Sequence, residues 1–318
     1  MRRPVNLDGA GLWIRRVVAG LIVVAVLLAP FVVSDVRLNQ LTRQLALLLA
    51  ILGVSLLTGR GGLVSLGHGV FVGIGAFATA RLASAGVPLA VAGVGATFIA
   101  GAFGVVLGIP ALRVRGPHLA LITLGTALAF GPLAKQVPQF TGGSSGLQFD
   151  TSPFGAPDWV GGSAATAEWR YAISLLVIAG WFVLARNLIR SRAGRAVMAV
   201  NDNELAAATF GVNPLWAKTG TLGITAAMAG TAGALHALSS SFVLHTEFDA
   251  LLSFRLYAAA VLGGAGSLLG PIMGVGFLTG IPELAARVPF LGNQDVVFGV
   301  GLIVVTIVGA SRGNRDEG

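Results

Sequence analysis

The sequence contains no cysteine and very little charge. Of its 318 residues, only 11% are charged while 55% are hydrophobic. The absence of cysteine excludes disulfide scaffolds, thiolate metal sites and cysteine nucleophiles. A soluble domain typically carries about 25% charged residues, so this chain has too little polar surface to cover a core in water. The composition therefore predicts a polytopic membrane protein.

Lysine is also scarce, since the chain contains only Lys135 and Lys218. Neither lysine follows the glycine spacing of a phosphate-cradling loop, so we do not expect this chain to hydrolyse ATP by that route. The four histidines lack the spacing of metal ligands. We therefore expect no metal site, no cofactor and no catalytic residue on this chain.

Apolar runs dominate what the sequence does contain. A membrane-spanning helix needs about 20 mostly apolar residues. The pattern predicts an all-α protein with about 8–10 transmembrane helices, including broken or re-entrant segments, because the run 251–263 is too short for an ordinary span. The runs are 17–33, 41–58, 62–80, 87–109, 117–134, 170–188, 217–239, 251–263, 267–285 and 295–310.

The basic residues predict the orientation of these runs. The net charge is +8, and with a cytoplasmic N-terminus 14 of the 21 lysines and arginines fall on the inner side, most densely from Arg186 to Arg195. Short loops rich in Lys and Arg stay in the cytoplasm. The positive charge is thus an orientation signal, and we expect no nucleic-acid partner. The predicted organisation is a cytoplasmic tail 1–16, a membrane domain 17–310 with an external loop 136–169 and a cytoplasmic segment 190–216, and a cytoplasmic tail 311–318.

Glycine is concentrated in two blocks, 59–75 and 263–280, which align at an offset of 201 residues. One interpretation is close helix packing through small residues. The other is that Gly and Pro interrupt helices at matching places along a substrate path, where histidines at membrane depth could also line water. The candidate path or helix-break residues are Ser65, His68, Gly69, Gly73, His118, Thr123, Gly264, Ser267, Gly270 and Pro271.

The segment 190–216 is the longest polar stretch on the predicted inner side. Its pattern predicts a short helix from Arg195, a break near Asn203, and a second helix that Asn203 caps and Gly211 ends. Glu204 would lie in the first turn of that helix, where the helix dipole favours an acid. A small helix of this kind suits docking into the groove of a partner, although an ordinary connecting loop fits the pattern equally well.

The string from Ser191 to Gly211 resembles the coupling segment of permease subunits of branched-chain amino-acid ABC importers. Further matching segments occur in the same order, at 65–69, 115–124, 141–146 and 261–271. The segments 115–124 and 141–146 resemble the M-type rather than the H-type permease. The sequence departs from the usual family pattern at Pro117, His118 and Ser145.

This resemblance implies a heteromeric importer in the cytoplasmic (inner) membrane. Its other parts would be a second permease subunit of the H-type, two cytoplasmic ABC ATPases that bind ATP and Mg²⁺, and an extracytoplasmic substrate-binding protein facing the loop 136–169. The expected solutes are branched-chain or related amino acids. The alternatives are a permease for urea or short amides and, less favoured, a stand-alone secondary transporter. The ATPase-coupling residues would be Arg195, Asn203, Glu204, Ala207 and Gly211.

Overall fold

A computed structural model describes residues 29–30, 33–111, 118–157, 162, 166–286 and 299. Most of the first predicted run, 17–33, and of the last, 295–310, lies outside these residues, as do both predicted tails and part of the predicted external loop.

The described residues form helices joined by short connections. The helices are α1 (Asp35–Gly59), α2 (His68–Ser84), α3 (Leu89–Ala111), α4 (His118–Gln136), α5 (Pro138–Thr141), α6 (Thr166–Arg190), α7 (Arg192–Asp202), α8 (Glu204–Thr209), α9 (Pro214–Ser240), α10 (Ala250–Leu262) and α11 (Gly270–Ala286). Two short strands, β1 (Leu147–Gln148) and β2 (Phe242–Val243), pair antiparallel. Short 3-10 turns occupy Gly143–Ser145, Ser152–Phe154 and His245–Phe248.

Five of the described helices are long and apolar enough to cross a bilayer, namely α1, α3, α4, α6 and α9. Large apolar side chains on α3, α4 and α6 point away from the protein interior, among them Phe98, Leu133 and Leu176. Because a soluble protein rarely exposes apolar patches of this extent, these surfaces suit contact with lipid. The expected all-α, polytopic membrane fold is confirmed.

Helix α9 lies at the centre of the bundle and packs against α1, α2 and α3. Gly75 of α2 lies directly against the backbone of Gly230 in α9, and Gly104 of α3 lies against Ala226. Helices in lipid associate through small residues because these let the backbones approach closely. The many Gly, Ala and Thr residues of α9 therefore explain why it can contact three helices at once.

The connections between helices lie on two opposite faces of the bundle. The first, which we call the coupling face, contains the end of α1, the helices α7 and α8, and the loop 263–269. Arg60 joins these parts by contacts with Gly266 and Met198. The second, which we call the loop face, contains residues 137–157 and 241–244, where Leu147 pairs with Val243. The segments 137–157 and 190–213 thus lie at opposite ends of the bundle.

Candidate functional site

The chain between α1 and α2 is a helix break that becomes buried from Ser65 onward. The apolar run begins at residue 62, but the helix begins only at His68, and Ser65 and His68 are completely buried. Ser65 Oγ lies 3.2 Å from His68 Nδ1, and the buried Thr123 of α4 accepts a hydrogen bond from Leu66 N at 3.0 Å. Irregular backbone at membrane depth requires such partners, because no water is available there.

Helices α2 and α10 begin next to each other inside the bundle. Gly69 N donates to the buried Ser253 Oγ at 2.9 Å, close to the first residue of α10. The far end of α10 reaches the coupling face, and its 13 residues span about 20 Å at the α-helical rise. The start of α2 therefore lies well inside the protein, which is the geometry of a discontinuous helix.

Glycine is required where α2 approaches its neighbours. A Cβ on Gly69 would lie 2.6 Å from Ser253 Oγ, and a Cβ on Gly73 would lie 2.7 Å from the Phe130 ring. A larger residue at either position would therefore force Ser253 or Phe130 to shift. The structure brings Ser65, His68, Gly69, Gly73 and Thr123 together at this break.

The remaining candidate path residues lie elsewhere. His118 is the first residue of α4, and Pro271 is the second residue of α11, where a missing N–H does little harm. Gly264, with φ of 97°, and Ser267 are exposed in the loop on the coupling face.

The second glycine block packs on the other end of α10. A Cβ on Gly270 would lie 2.6 Å from the carbonyl oxygen of Gly263, and one on Gly274 would lie 2.5 Å from that of Ala259. The two glycine blocks therefore flank α10 from its two ends, and close packing accounts for Gly69 and Gly73 in the first and for Gly270 and Gly274 in the second.

The segment 190–216 contains the two predicted helices. α7 begins at Arg192, three residues earlier than expected, after Ser191 Oγ accepts a hydrogen bond from Gly194 N at 3.1 Å. Asn203 Oδ1 then accepts from Ala206 N at 2.9 Å and caps α8, as predicted.

Gly211 ends α8 with φ of 82°, a left-handed conformation that favours glycine. Gly211 N donates to Ala208 O and Val212 N donates to Ala207 O, which is the Schellman pattern. The predicted break and end of the second helix are thus confirmed.

α8 turns its large apolar side chains away from the bundle. Leu205 is 78% exposed and Phe210 is 86% exposed, whereas Ala207 is only 4% exposed. Glu204 Oε2 accepts a 2.6 Å charged hydrogen bond from Lys218 Nζ of α9, which ties the start of α8 to the membrane helices. An exposed Leu–Phe pair on a polar face indicates a docking surface.

The segment 190–216 also contacts the connection that leads to the helix break. Arg60 Nη1 lies 3.4 Å from Met198 Sδ of α7, and the side chain of Asn201 lies against Gly62. Arg195, by contrast, donates only to the nearby Arg190 O at 2.8 Å among the bonds that the structure describes. Helix α7 therefore contacts the chain that leads to the start of α2 at Arg60 and Gly62.

On the loop face, long-range hydrogen bonds order the connection after α5. Thr151 Oγ1 lies 2.6 Å from Ser241 Oγ, and Arg170 Nη2 donates to Thr151 O at 3.0 Å. Asp150 accepts from the Ser152 hydroxyl at 2.7 Å and from Ser152 N at 2.8 Å. These bonds, the hydroxyl bond foremost, hold the pKa of Asp150 below its usual value.

The comparisons with known proteins decide the family. Residues 36–306 match the family described as branched-chain amino acid transport system / permease component. The chain belongs to this family. The permease is 30% identical over 304 residues to the high-affinity branched-chain amino acid transport system permease protein LivM of Salmonella typhimurium, covering 87% of this chain and 70% of LivM.

Other permeases match this chain over shorter alignments and with slightly lower identity. LivH of the high-affinity branched-chain amino acid transport system of Escherichia coli is 29% identical over 287 residues, covering 85% of this chain and 91% of LivH. The autoinducer 2 import system permease protein LsrC of Klebsiella pneumoniae is 29% identical over 219 residues, covering 66% of this chain and 59% of LsrC. No solved structure gives a significant match. Family membership makes the chain a permease subunit of an ABC importer, not an enzyme.

Sequence reasoning did not single out several residues that the structure makes prominent. Arg60 has no sequence signal beyond its charge, yet it joins three parts of the coupling face. Ser253 and Asp249, at the start of α10, were not identified, although Asp249 caps that helix by accepting from Leu252 N at 2.9 Å. An acid directly before a short apolar run is the pattern that predicts such a cap.

Proposed function

We propose that this permease is the M-type membrane subunit of an importer that moves branched-chain or closely related amino acids inward across the cytoplasmic membrane. A second, H-type permease would complete the membrane part. Two ABC ATPases would bind ATP and Mg²⁺, and an external binding protein would deliver the substrate. The observation that supports this most is the exposed apolar surface of α8, formed by Leu205 and Phe210, on a face opposite the ordered loop.

In this proposal the coupling face is cytoplasmic. The arginine-rich end of α6 and start of α7 lie there, including Arg186, Arg190 and Arg192, in agreement with the positive-inside bias. Both tails, 1–16 and 311–318, would then be cytoplasmic. The loop 136–169 would face the binding protein on the outside.

The proposed coupling begins when the ATPases close and displace α8 and α7. The contacts of Met198 with Arg60 and of Asn201 with Gly62 pass this displacement to the helix break. The residues at the break, Ser65, His68 and Thr123, would border the path that opens and closes. Such alternation between two arrangements is how transporters expose a site to each side in turn.

The test uses the complete importer reconstituted in proteoliposomes with its binding protein. Gly211→Trp projects a bulky group into a space where no atom of the described residues lies within 4 Å of a Cβ, and where the proposal places the ATPase. Stimulated ATP hydrolysis and leucine uptake should both fall by about tenfold or more, since hot-spot contacts are lost. The amount of permease in the membrane should remain unchanged.

Gly211→Asn is the matched control, because asparagine tolerates a left-handed conformation and adds little volume. It should retain most of the coupling. Full coupling in Gly211→Trp would contradict the docking role. Uptake by the permease alone, driven by an ion gradient without ATPases, would instead identify a secondary transporter.

A further inference from the structure

A cavity of about 330 Å³ opens between α4 and the segment that leads into α10. Its volume falls at the lower end of the roughly 300–1,000 Å³ range of small-molecule sites. The residues on its wall include Leu128, Lys135, His245, Thr246, Asp249 and Leu251. The cavity thus combines an acid, a base, an imidazole and an apolar surface.

His245 supplies the strongest indication that the cavity holds a ligand. Its side chain is only 4% exposed, and neither ring nitrogen has a hydrogen-bond partner among the described residues. A neutral imidazole always carries one N–H donor and one lone-pair acceptor. Burying this donor and this acceptor without hydrogen-bond partners is unfavourable. A polar ligand in the cavity would supply hydrogen bonds to both ring nitrogens.

The charged groups occupy both sides of the cavity. Asp249 Oδ1 caps α10 by accepting from Leu252 N, which leaves Oδ2 for another donor. Lys135 lies in the last turn of α4 and contributes an ammonium group to the other side of the cavity. The first N–H groups of α10, at Ala250 and Leu251, have no acceptor within the helix and favour an anion.

The cavity also adjoins the helix break. Ser253, which accepts from Gly69 N, lies one helical turn after Asp249. Phe248, which precedes Asp249, packs against Gly73 of α2. A ligand in the cavity would therefore sit beside the two helix starts at which the proposed path opens.

We propose that this cavity binds the α-amino acid as a zwitterion during its passage through the permease. Asp249 pairs with the substrate ammonium group. Lys135 and the start of α10 bind the carboxylate, and His245 completes the hydrogen bonds. The aliphatic side chain of the substrate packs on Leu128 and Leu251. This inference rests on the proposed function and selects amino acids over urea, which would leave both charged side chains unpaired.

The experiment measures ATP-dependent uptake of radiolabelled leucine and ATP hydrolysis in proteoliposomes that contain the complete importer. Asp249→Asn removes the charge but keeps an oxygen that caps α10. Lys135→Gln removes the opposite charge. Each variant should lower the leucine moved per ATP hydrolysed by about tenfold or more, since a charge-assisted hydrogen bond to the substrate is lost. Stimulated ATPase activity should remain within about twofold, because the coupling face is unchanged.

Glu247→Gln is the matched control. Glu247 lies two residues before Asp249, but its carboxylate pairs with His236 at 2.7 Å and it is not part of the cavity wall. The same change of charge there should leave leucine transport within about twofold of the parent, as for other partly exposed pairs.

Two results overturn the inference in different ways. Normal leucine transport by both Asp249→Asn and Lys135→Gln would refute the site while leaving the proposed function intact. A parent complex that transports urea or acetamide but no leucine would refute the proposed function and the site together. If Asp249→Asn does not reach the membrane, Lys135→Gln and the cavity-filling Leu128→Trp decide, because both positions are exposed and tolerate change.

Discussion

The guanidinium Nε of Arg60 donates a hydrogen bond to the carbonyl oxygen of Gly266 at 3.2 Å, across 206 residues of sequence. The same guanidinium places Nη1 at 3.4 Å from Met198 Sδ. One side chain at the end of α1 therefore connects the loop between α10 and α11 with helix α7. These three parts surround the route by which coupling is proposed to reach the helix break.

We expect Arg60→Lys to uncouple transport from ATP hydrolysis. Lysine has a single ammonium group and cannot present the fixed fork of a guanidinium to two partners at once. The leucine moved per ATP should fall by about fivefold or more, the range of a typical coupling energy. Arg37→Lys is the control, because Arg37 is exposed at the other end of α1, and its transport ratio should be unchanged. Equal ratios in the two variants would contradict the connecting role of Arg60.

Ser253→Ala should destabilise the permease. The substitution removes the acceptor of the buried Gly69 N–H, and an unsatisfied buried donor costs about 1–3 kcal/mol. Thermal unfolding in detergent measures the loss. Ser84→Ala serves for comparison, because the Ser84 hydroxyl donates only to a carbonyl within its own helix, at Ala80. A shift no larger for Ser253→Ala than for Ser84→Ala would show that the two helix starts do not depend on this bond.

Gly75→Ala should disrupt the packing of α2 on α9. The added methyl would meet the backbone of Gly230, which cannot move away as a flexible side chain can. Overpacking of this kind typically costs about 1–3 kcal/mol. Gly276→Ala in α11 is the counterpart, since a Cβ there meets no atom within 4 Å in the part of the chain that the structure describes, and alanine favours helix. The midpoint of thermal unfolding in detergent should fall for Gly75→Ala and should stay level or rise for Gly276→Ala.

Variants of Glu204 and Lys218 distinguish the effect of the ion pair from the effect of the docking surface. Lys218→Met and Glu204→Gln both break the pair, and each should change stability by less than about 1 kcal/mol because the carboxylate is largely exposed. Only Glu204→Gln alters the surface proposed to meet the ATPase, so it should reduce stimulated ATP hydrolysis more than Lys218→Met does. Equal reductions would assign the effect to the ion pair alone.

Local chemistry made several elements predictable from the sequence. Hydropathy located every long helix that the structure describes, although α1 begins six residues before the predicted run. The cap at Asn203 and the helix end at Gly211 follow from side-chain and backbone preferences over a single turn. Hydropathy also joined residues 62–67 to the helix that begins at His68, because an apolar average does not distinguish buried extended chain from helix.

The long-range contacts were not predictable in this way. The bond from Gly69 to Ser253 crosses 184 residues, and the one from Arg60 to Gly266 crosses 206. No periodicity or spacing in the sequence marks either pair, because each contact forms only when separate helices pack together. The cavity near Asp249 depends on the same packing, which brings α4 beside a segment more than a hundred residues later.

The pairing of β1 with β2 fixes the conformation of the chain on the loop face before any other protein arrives. Ordering a mobile side chain at an interface costs about 0.5–1.5 kcal/mol, and ordering a loop adds to this. A protein that docks here meets a surface whose shape is already set by Thr151, Ser241 and Arg170. Docking on this face therefore costs little ordering free energy, which would favour the external binding protein that the proposed function places there.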